Sequence, residues 1–402
     1  MHRVRMEDWI CREEGLPCLT EETLHALQLK KLNILLKKLR EKGGIYEDLS
    51  VEVKNLKELQ NLPLTDSTLL RERPSQFLAC SQSQVSRIIT EATSGTTGGA
   101  KRVFYTEEDL RHTVGFFASG ISEMLNKGEK CLIAFPFSGP SGLGDLIAKA
   151  VESLGAIPIK AGFGQSYGSM ISLIEQEQPE TYIGFSVPLL SVFRLYPGEF
   201  PIKRALLSGD SCPDGVMKAL PMPLYPHYGS RETALGGAVT CPAFQGMHLR
   251  ENHILAEIID PAGTPVPDGE WGELVITTIG MEAMPLLRYR TGDTARFLPE
   301  KCPCGGITRR LDRVTRAESG PVSMENLDSC LFSIPEVIDF RAFLGNKLRL
   351  EIYSLRKDIG VQIQKCIAEI CPQIPTEIIL HSAGQAQRPA YPGKRHILKE
   401  EG

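Results

Sequence analysis

The 402-residue sequence lacks the features that would place it in a membrane, outside the cell or on a nucleic acid. No apolar run approaches the ~20 residues that a membrane-spanning helix needs. The first residues, Met1 to Asp8, lack the apolar core of a signal peptide. The net charge of −4 supplies no positive surface for nucleic acid or for an anionic membrane. We therefore expect a soluble, cytoplasmic protein with no nucleic-acid partner and no membrane partner.

The cysteine content argues against a small scaffold held together by disulfides. The eleven cysteines are an odd number, and they are spread over a chain too long for that class. Without an export signal, we expect thiols or metal ligands in a reducing compartment. The length of 402 residues predicts two or three structural units, and a hydrophobic content of 42% is ordinary for a soluble protein.

What the sequence does contain is a loop dense in glycine and hydroxyl residues, over residues 93–101. It lies between apolar runs at 85–89 and 102–105, and both runs predict strands. Glycines let backbone N–H groups approach an anion, hydroxyls add donors, and the final lysine supplies a positive charge. An ordinary hydrophilic turn is the alternative, but such a turn needs only two or three of these residues. We predict a phosphate-binding loop with the contact residues Thr93, Ser94, Gly95, Thr96, Thr97, Gly98 and Lys101.

Strand and helix patterns alternate up to about residue 207, which predicts α/β units on a largely parallel sheet. From about residue 238 the pattern is typical of antiparallel strands, and past about 314 a smaller α+β unit begins. The predicted fold class is therefore α/β. We predict a large N-terminal domain (1–313) that includes a β-rich subdomain, and a small, mobile C-terminal domain (314–402).

A separate group of cysteine and histidine residues predicts a metal site. His248 follows Cys241 by seven residues, and Cys302 and Cys304 lie together in a segment rich in proline and glycine. Three thiolates and one imidazole make a closed tetrahedral set for Zn²⁺. Scattered buried thiols are the alternative, since cysteine is often a core residue. Because cysteines in a turn are poorly placed for a core, we favour a structural zinc site.

The loop and two later segments resemble the signatures of the adenylate-forming enzymes, and in particular of the phenylacetate-CoA ligases. The loop matches the pattern Ser/Thr-Ser-Gly-Thr-Thr-Gly-x-x-Lys. Residues 227–233 (His-Tyr-Gly-Ser-Arg-Glu-Thr) resemble a second signature of the superfamily. Residues 285–293 (Pro-Leu-Leu-Arg-Tyr-Arg-Thr-Gly-Asp) resemble the most specific one of the phenylacetate-CoA ligases. The resemblance implies that the large α/β domain is of the adenylate-forming type.

The resemblance also implies roles for individual residues. Tyr228 and Gly229 would lie near the adenine, Glu232 would help to hold Mg²⁺, and Asp293 would bind both ribose hydroxyls. These roles suit the residue types, because a flat ring stacks and a carboxylate binds hydroxyls and hard cations. A looser match places Gly209 and Asp210 in a segment that contacts adenine. A turn tyrosine and a solvated glutamate would explain residues 228–232 equally well if they stood alone.

Near the C-terminus, Lys394 resembles the lysine that neutralises charge during adenylation; the alternative is a solvated lysine in a tail. Arg231 departs from the pattern, since relatives carry there a hydroxyl that bonds the α-phosphate, although a guanidinium suits the same oxygen. The Gly-Arg-x-Asp-Asp hinge of relatives is missing around residues 311–320, where Arg313 remains as a phosphate or hinge residue. The predicted catalytic residues are therefore Lys394, Glu232 and Arg231.

The implied activity is a two-step ligation. A carboxylate would attack the α-phosphate of ATP to give acyl-AMP and pyrophosphate, and the thiol of coenzyme A would then displace AMP. The implied partners are a small carboxylic acid, ATP with Mg²⁺, and CoA, and the branch favours an aryl or arylacetic acid. Candidates for the acid pocket are Phe135, Phe137, Ser138, Phe185 and the pair Gly236-Gly237.

Other interpretations stay open at this point. The altered hinge leaves room for transfer of the acyl group to a carrier-protein thiol or another acceptor. A degenerate nucleotide-binding module with a regulatory role is a second alternative, given Arg231 and the hinge. A purely structural or interaction protein would leave three ordered nucleotide motifs unexplained. Pairing of two chains through the N-terminal helices is also left open.

Overall fold

The computed structural model describes residues 5–49, 52–91, 101–139, 141–316, 320–391 and 393–400. The chain divides into two compact units, and each unit combines two stretches that are distant in the sequence. Unit 1 contains Met1–Glu123 and His227–Ala317, and unit 2 contains Met124–Pro226 and Glu318–Gly402.

The α-helices, in chain order, are α1 (Arg5–Glu14), α2 (Glu21–Lys42), α3 (Ser67–Glu72), α4 (Glu107–Ile121), α5 (Leu143–Ser153), α6 (Tyr167–Glu177), α7 (Ser186–Leu195), α8 (Asp214–Ala219), α9 (Met324–Leu331) and α10 (Gly360–Ile370). Within the described part of the chain, no helix combines the length and the apolar character needed to cross a membrane.

The strands are β1 (Arg87–Glu91), β2 (Lys101–Tyr105), β3 (Lys130–Ile133), β4 (Ile157–Lys160), β5 (Thr181–Gly184), β6 (Arg204–Leu207), β7 (Leu224–Tyr228), β8 (Ala238–Thr240), β9 (Met247–Leu249), β10 (Leu255–Ile259), β11 (Gly272–Thr277), β12 (Tyr289–Ala295), β13 (Arg310–Leu311), β14 (Thr315–Arg316), β15 (Val337–Leu344), β16 (Leu348–Ser354), β17 (Thr376–Ser382) and β18 (Leu398–Lys399).

Local caps explain where two helices of unit 1 begin. Thr20 accepts a hydrogen bond from the backbone of Thr23 and so caps α2, which ends before Gly43 at a φ of 74°. Thr106 and Asp109 form a reciprocal capping box at the start of α4. Threonine is a favoured N-cap and glycine a favoured residue just past a helix, so the sequence alone indicates both starts and the stop.

Unit 1 holds three groups of antiparallel strands. The pair β1-β2 brackets residues 92–100, because Glu91 lies opposite Lys101. A four-stranded sheet has the order β10-β11-β12-β14. The third group joins β13, β9, β8 and the last two residues of β7. The antiparallel pattern predicted after residue 238 is confirmed.

Unit 2 contains a parallel sheet of β4, β3, β5, β6 and the first residues of β7, in that order. Its strands and the helices α5 to α8 alternate along the chain, so the predicted α/β units are confirmed. Loops such as that at residues 208–213 follow the carboxyl ends of these strands, where open parallel sheets bind ligands.

The C-terminal stretch of unit 2 contains α9, β15, β16, α10 and β17 in that order, which is the α+β character predicted past residue 314. It shares one hydrophobic core with residues 124–226, where α7 packs on β15 and α8 packs on α9. At Gly215 of α8, an added Cβ would lie 2.1 Å from the carbonyl oxygen of Ser329, so this contact needs glycine. The domain boundary at 313/314 stays a prediction.

Unit 2 also contains a disulfide between Cys330 of α9 and Cys366 of α10. The expectation that the cysteines are thiols or metal ligands is wrong for this pair. The reason is that α9 and α10 pack side by side, which no spacing in the sequence could indicate. The other nine cysteines, all within the described residues, form no disulfide.

Candidate nucleotide and metal sites

Lys101 lies at the start of β2, directly after the predicted phosphate loop. The contact residues Thr93, Ser94, Gly95, Thr96, Thr97 and Gly98 lie outside the described residues. The Lys101 ammonium donates to Glu232 Oε1 at 2.5 Å and to the Tyr289 hydroxyl at 2.9 Å. Tyr289 in turn donates to the same Glu232 oxygen at 3.2 Å. Lysine, glutamate and tyrosine therefore form one bonded group.

Burial and charge oppose each other at Glu232. Burial alone would raise the pKa of this carboxyl, but the charge and hydrogen bond of Lys101 lower the pKa below its ordinary value. At Tyr289, burial and the nearby Glu232 carboxylate raise the pKa of the phenol. Glu232 is therefore a carboxylate and Tyr289 a neutral phenol.

Tyr228, at the end of β7, meets Asp293 in the middle of β12. The Tyr228 hydroxyl donates to Asp293 Oδ2 at 2.9 Å. Burial first, and the Asp293 charge second, raise the pKa of Tyr228 well above its ordinary value, so the phenol stays a donor. The bond fixes the orientation of the carboxylate that is predicted to bind ribose.

Two close contacts fix the backbone of residues 229–233. At Gly229, an added Cβ would lie 2.2 Å from the carbonyl oxygen of Leu235. The Arg231 carbonyl accepts a hydrogen bond of 2.7 Å from the Tyr105 hydroxyl, which is fully buried in β2. The backbone that carries Arg231 and Glu232 is thus anchored to the strand that follows the loop. Arg313 also belongs to unit 1.

The remaining predicted nucleotide and catalytic residues lie in unit 2. Gly209 has a φ of 91°, and an added Cβ would lie 2.7 Å from the Phe185 ring. Asp210 Oδ2 accepts a hydrogen bond of 2.7 Å from the backbone N–H of Arg395, next to the exposed Lys394. Burial raises the pKa of Asp210, which the Arg395 and Ser211 N–H groups and nearby cations partly offset. The structure therefore brings Asp210 and residue 394 together.

Arg395, whose side chain is only 7% exposed, is a residue that sequence reasoning missed. Its guanidinium donates to Asp328 Oδ1 at 2.8 Å and to Asp339 Oδ1 at 3.0 Å. Asp339 Oδ2 also accepts from the Tyr167 hydroxyl at 2.5 Å. Burial raises the pKa of Asp328 to about 7 despite the Arg395 charge. These bonds tie the segment that carries Lys394 to the body of unit 2.

A cavity that opens to solvent adjoins Arg395 in unit 2, and its empty space, open solvent included, is about 650 Å³. Phe163, Phe185 and Tyr391 line it together with Asp210 and Arg395. Phe185, a predicted acid-pocket residue, lines this cavity, and the Phe135 ring lies 5.3 Å from the Phe185 ring. Its contact with the acid stays a prediction. Gly236 lies in unit 1 instead, where an added Cβ would lie 2.4 Å from Phe116. The Phe116 ring fills the space beside that glycine, and the assignment of Gly236 and Gly237 to the acid pocket stays a prediction.

The predicted metal ligands Cys241, His248, Cys302 and Cys304 come together in unit 1. Their ligand atoms all lie within 4.8 Å of one another. Cys241 Sγ lies 3.7 Å from Cys302 Sγ, and Cys304 Sγ lies 3.4 Å from His248 Nε2. The set of three sulfurs and one nitrogen fits Zn²⁺, because it offers four soft or borderline ligands without an open position. We call these four residues the metal cluster.

Protonation in the metal cluster follows from burial. Burial, with the Arg310 charge, lowers the pKa of His248 to about 4, so the imidazole is neutral, as a ligand must be. Burial raises the pKa of Cys241 and of Cys304, so a metal must displace protons from these thiols when it binds.

A comparison with known proteins finds relatives that match most of the chain in sequence, although no family model matches it. A phenylacetate-coenzyme A ligase of Thermus thermophilus is 30% identical over 360 residues, which cover 80% of this chain and 78% of that one. The phenylacetate-coenzyme A ligase of Escherichia coli is 30% identical over 327 residues, with coverages of 73% and 71%.

Two solved structures resemble this one. A 2-hydroxyisobutyryl-CoA ligase in the postadenylation state, in complex with R3-HIB-AMP, has a TM-score of 0.75 at 17% identity. That match covers 93% of this chain and 89% of the other. The amide bond synthetase McbA of Marinactinospora thermotolerans has a TM-score of 0.52 at 16% identity, with coverages of 78% and 68%. At such identities the likeness shows the fold alone, and it is the fold that the motifs predicted.

Proposed function

This chain belongs to the phenylacetate-coenzyme A ligase family, and on that basis we propose that it joins an aryl or arylacetic acid to coenzyme A. It is an ATP-dependent, AMP-forming acid–thiol ligase. The acid and ATP give acyl-AMP and pyrophosphate, and the thiol then displaces AMP. One observation carries the proposal: side chains of all three nucleotide motifs are bonded to one another in unit 1. Lys101 bonds to Glu232 and Tyr289, and Tyr228 bonds to Asp293.

Formation of acyl-AMP requires the protein to position the acid and ATP and to neutralise the negative charge of the phosphates. We assign the ribose to Asp293, whose carboxylate can accept two hydroxyl hydrogens. The triphosphate would lie against residues 93–98 and Lys101, with Arg231 toward the α-phosphate. Glu232 would hold Mg²⁺, a hard cation that neutralises phosphate charge when bound. Because Lys101 bonds to Glu232 in this structure, nucleotide binding must draw the ammonium from the carboxylate toward a phosphate oxygen.

We place the acid in the unit 2 cavity, with its carboxylate toward Lys394. Phe163 and Phe185 supply apolar and aromatic surface that suits a flat ring. Lys394 adjoins Gly393 and Arg395, which both line the cavity. Its charge would stabilise the negative charge that develops between the acid and the α-phosphate. Gly209 and Asp210 would lie near the adenine.

For the metal cluster we propose a structural Zn²⁺. A closed set of four ligands leaves no position for a substrate, so the ion would stabilise the fold of unit 1 rather than take part in ligation.

The proposal is tested by AMP release from ATP and Mg²⁺ with a panel of aryl, arylacetic and short aliphatic acids, with and without CoA. We expect AMP only when an aryl or arylacetic acid and CoA are both present. The variant Asp293→Asn should raise the KM for ATP about 10- to 100-fold, because a charged acceptor is worth about 1.5–3 kcal/mol. The matched control is Asp268→Asn, an exposed carboxylate of the same unit.

Two outcomes would contradict it. Repeated turnover to AMP at a rate that does not depend on CoA would show that the acyl group goes to another acceptor. ATP binding without turnover of any acid would show a regulatory nucleotide-binding module.

A further inference from the structure

Glu7 is a buried carboxylate at the start of α1, with 1% of its surface exposed. A single oxygen, Oε1, accepts hydrogen bonds from the backbone N–H groups of Ile307 (2.6 Å) and Thr308 (2.8 Å). The Thr308 hydroxyl lies 3.0 Å from the same oxygen. Burying a carboxylate is costly unless it is hydrogen-bonded, so these contacts must form for α1 to dock.

The partners of Glu7 directly follow the turn that carries Cys302 and Cys304. In that turn the Gly306 N–H donates to Cys304 Sγ at 3.3 Å. Glu7 then holds the next two N–H groups, so it fixes the backbone by which the chain leaves the metal cluster. The contact spans 301 residues of sequence.

The directions of these hydrogen bonds determine the tautomer of His248. Oε1 of Glu7 already accepts from two N–H groups, so toward Thr308 it is again the acceptor and the threonine hydroxyl donates. The Thr308 oxygen then has only lone pairs for His248 Nδ1, which lies 2.9 Å away. Nδ1 must therefore carry the hydrogen. This leaves the lone pair of Nε2 toward Cys304 Sγ, 3.4 Å away.

We propose that Glu7 is a positioning residue of the metal cluster, acting through Thr308 on His248. The hydrogen bonds from Glu7 through Thr308 to His248, which we call the relay, hold the imidazole in the tautomer and orientation in which Nε2 can bind a metal. Metal-binding histidines commonly donate their other N–H to such a partner, and losing the partner weakens metal binding about 10- to 100-fold. The relay also makes the docking of α1 and the occupation of the metal cluster mutually supportive.

The test is the Zn²⁺ affinity of the full chain, measured by competition with a chromophoric chelator. Thr308→Val keeps the side-chain shape and the backbone bond to Glu7 but removes the hydroxyl. We expect it to weaken Zn²⁺ binding about 10- to 100-fold. Glu7→Gln should weaken it in the same direction, and Thr308→Ser should restore wild-type affinity because it restores the hydroxyl. Asp8→Asn, which removes the same charge from an exposed position of α1, is the matched control and should bind like the wild type.

A second readout separates the relay from a merely structural role. With Co²⁺ in place of Zn²⁺, the ligand-field bands of Thr308→Val should shift relative to those of the wild type, while Thr308→Ser should match it. Wild-type Zn²⁺ affinity in both Thr308→Val and Glu7→Gln would overturn the proposal, as would absence of Zn²⁺ binding by the wild type. AMP release is measured separately, so failure of the ligase proposal would be seen without any change in metal affinity.

Discussion

At the scale of single residues, the ion pair of Lys101 and Glu232 determines which groups the proposed nucleotide site offers to a ligand. Both side chains are largely buried, and the ammonium contacts the oxygen that is assigned to Mg²⁺. A cation and the lysine therefore compete for one carboxylate. Binding of the metal without nucleotide should be weak, because nothing then draws Lys101 away.

The variant Lys101→Met tests this competition. Without nucleotide, its affinity for Mg²⁺ should rise relative to the wild type, as measured by titration calorimetry. Its rate of acyl-AMP formation should fall about 10²- to 10³-fold, because a charge that stabilises the transition state is lost. Tyr289→Phe keeps the ion pair and is the control. Unchanged Mg²⁺ affinity in Lys101→Met would contradict the competition.

Asp328 predicts a dependence of stability on pH. Its pKa is raised by burial to about 7 in the folded chain, against about 3.9 in an unfolded one. The folded state therefore binds more protons between these values, and this group lowers the free energy of unfolding as pH rises through that window. Asp328→Asn lacks this titration. The free energy of unfolding of the variant should therefore rise relative to that of the wild type from about pH 4 to about pH 7 and then level off. Urea unfolding across this pH range measures it, and a difference that is independent of pH would contradict it.

The motif residues could be predicted because each signature lies within a few consecutive positions. Lys101, Tyr228, Glu232 and Asp293 all lie in such segments, although their roles stay predictions. Arg395 and Glu7 were missed because their partners are distant in sequence. Asp339 lies 56 residues from Arg395, and no local pattern shows which buried carboxylate will meet which cation.

At the scale of elements, strand β12 depends on the arginine that precedes it. Arg288 donates to Glu257 at 2.9 and 3.0 Å and to the carbonyl oxygens of Gln60 and Leu62 at 2.7 Å. It thereby joins the start of β12 to β10 and to the segment before α3. Only 3% of its side chain is exposed.

Arg288→Met should therefore destabilise unit 1 by about 3–5 kcal/mol, because it leaves a buried carboxylate without its partner. Arg296→Met, at a half-exposed pair with Asp312, should cost only about 0–1 kcal/mol. Chemical denaturation of both variants measures the difference. Equal costs would show that burial of the Arg288 pair is unimportant.

The turn after β7 gives an element-scale prediction for activity. Gly229→Ala would push its Cβ against the carbonyl of Leu235, so the segment that carries Tyr228 and Glu232 must shift. Misplacement by about 1 Å can cost about 10²-fold in rate, and we expect a loss of that size in acyl-AMP formation. Gly168→Ala, in α6 with no atom within 4 Å of the added Cβ, is the control and should keep wild-type activity.

Helices with capping residues and regular apolar spacing could be predicted from the sequence. Short strands that form only by hydrogen bonding to a neighbouring strand could not. Helices α2 and α4 have capping residues and apolar spacing that indicate where they begin. Strands β13, β14 and β18 each have two residues, and they exist only because of their hydrogen-bonded neighbours. A pattern with a period of two residues cannot appear in so short a segment.

At the scale of the whole molecule, the predicted boundary at 313/314 follows a change in sequence pattern. The compact units follow contacts instead, and they group residues 318–402 with residues 124–226. Ser191 of α7 donates to the Ile338 carbonyl at 2.7 Å, and Arg194 donates to that of Phe332 at 2.6 Å. Periodicity shows that an element has an apolar face, but it does not show which distant element covers that face.

A chain that ends at residue 313 should therefore be poorly folded. It would leave the faces of α7 and α8 without β15 and α9, and exposed apolar faces promote aggregation. We expect the fragment 1–313 to be insoluble alone and soluble when residues 314–402 are co-expressed. A soluble fragment with a cooperative unfolding transition of its own would contradict this expectation.

The interleaving of the two units also bears on the order in which a ribosome completes them. Unit 1 has all its residues once position 317 has emerged, whereas residues 124–226 must wait for residues 318–402. During that interval residues 124–226 lack the rest of their core, although residues 1–123 and 227–317 can already assemble into unit 1. Residues 318–402 thus cover a region that is translated much earlier, so residues 124–226 are the part of the nascent chain with the greatest need of a chaperone.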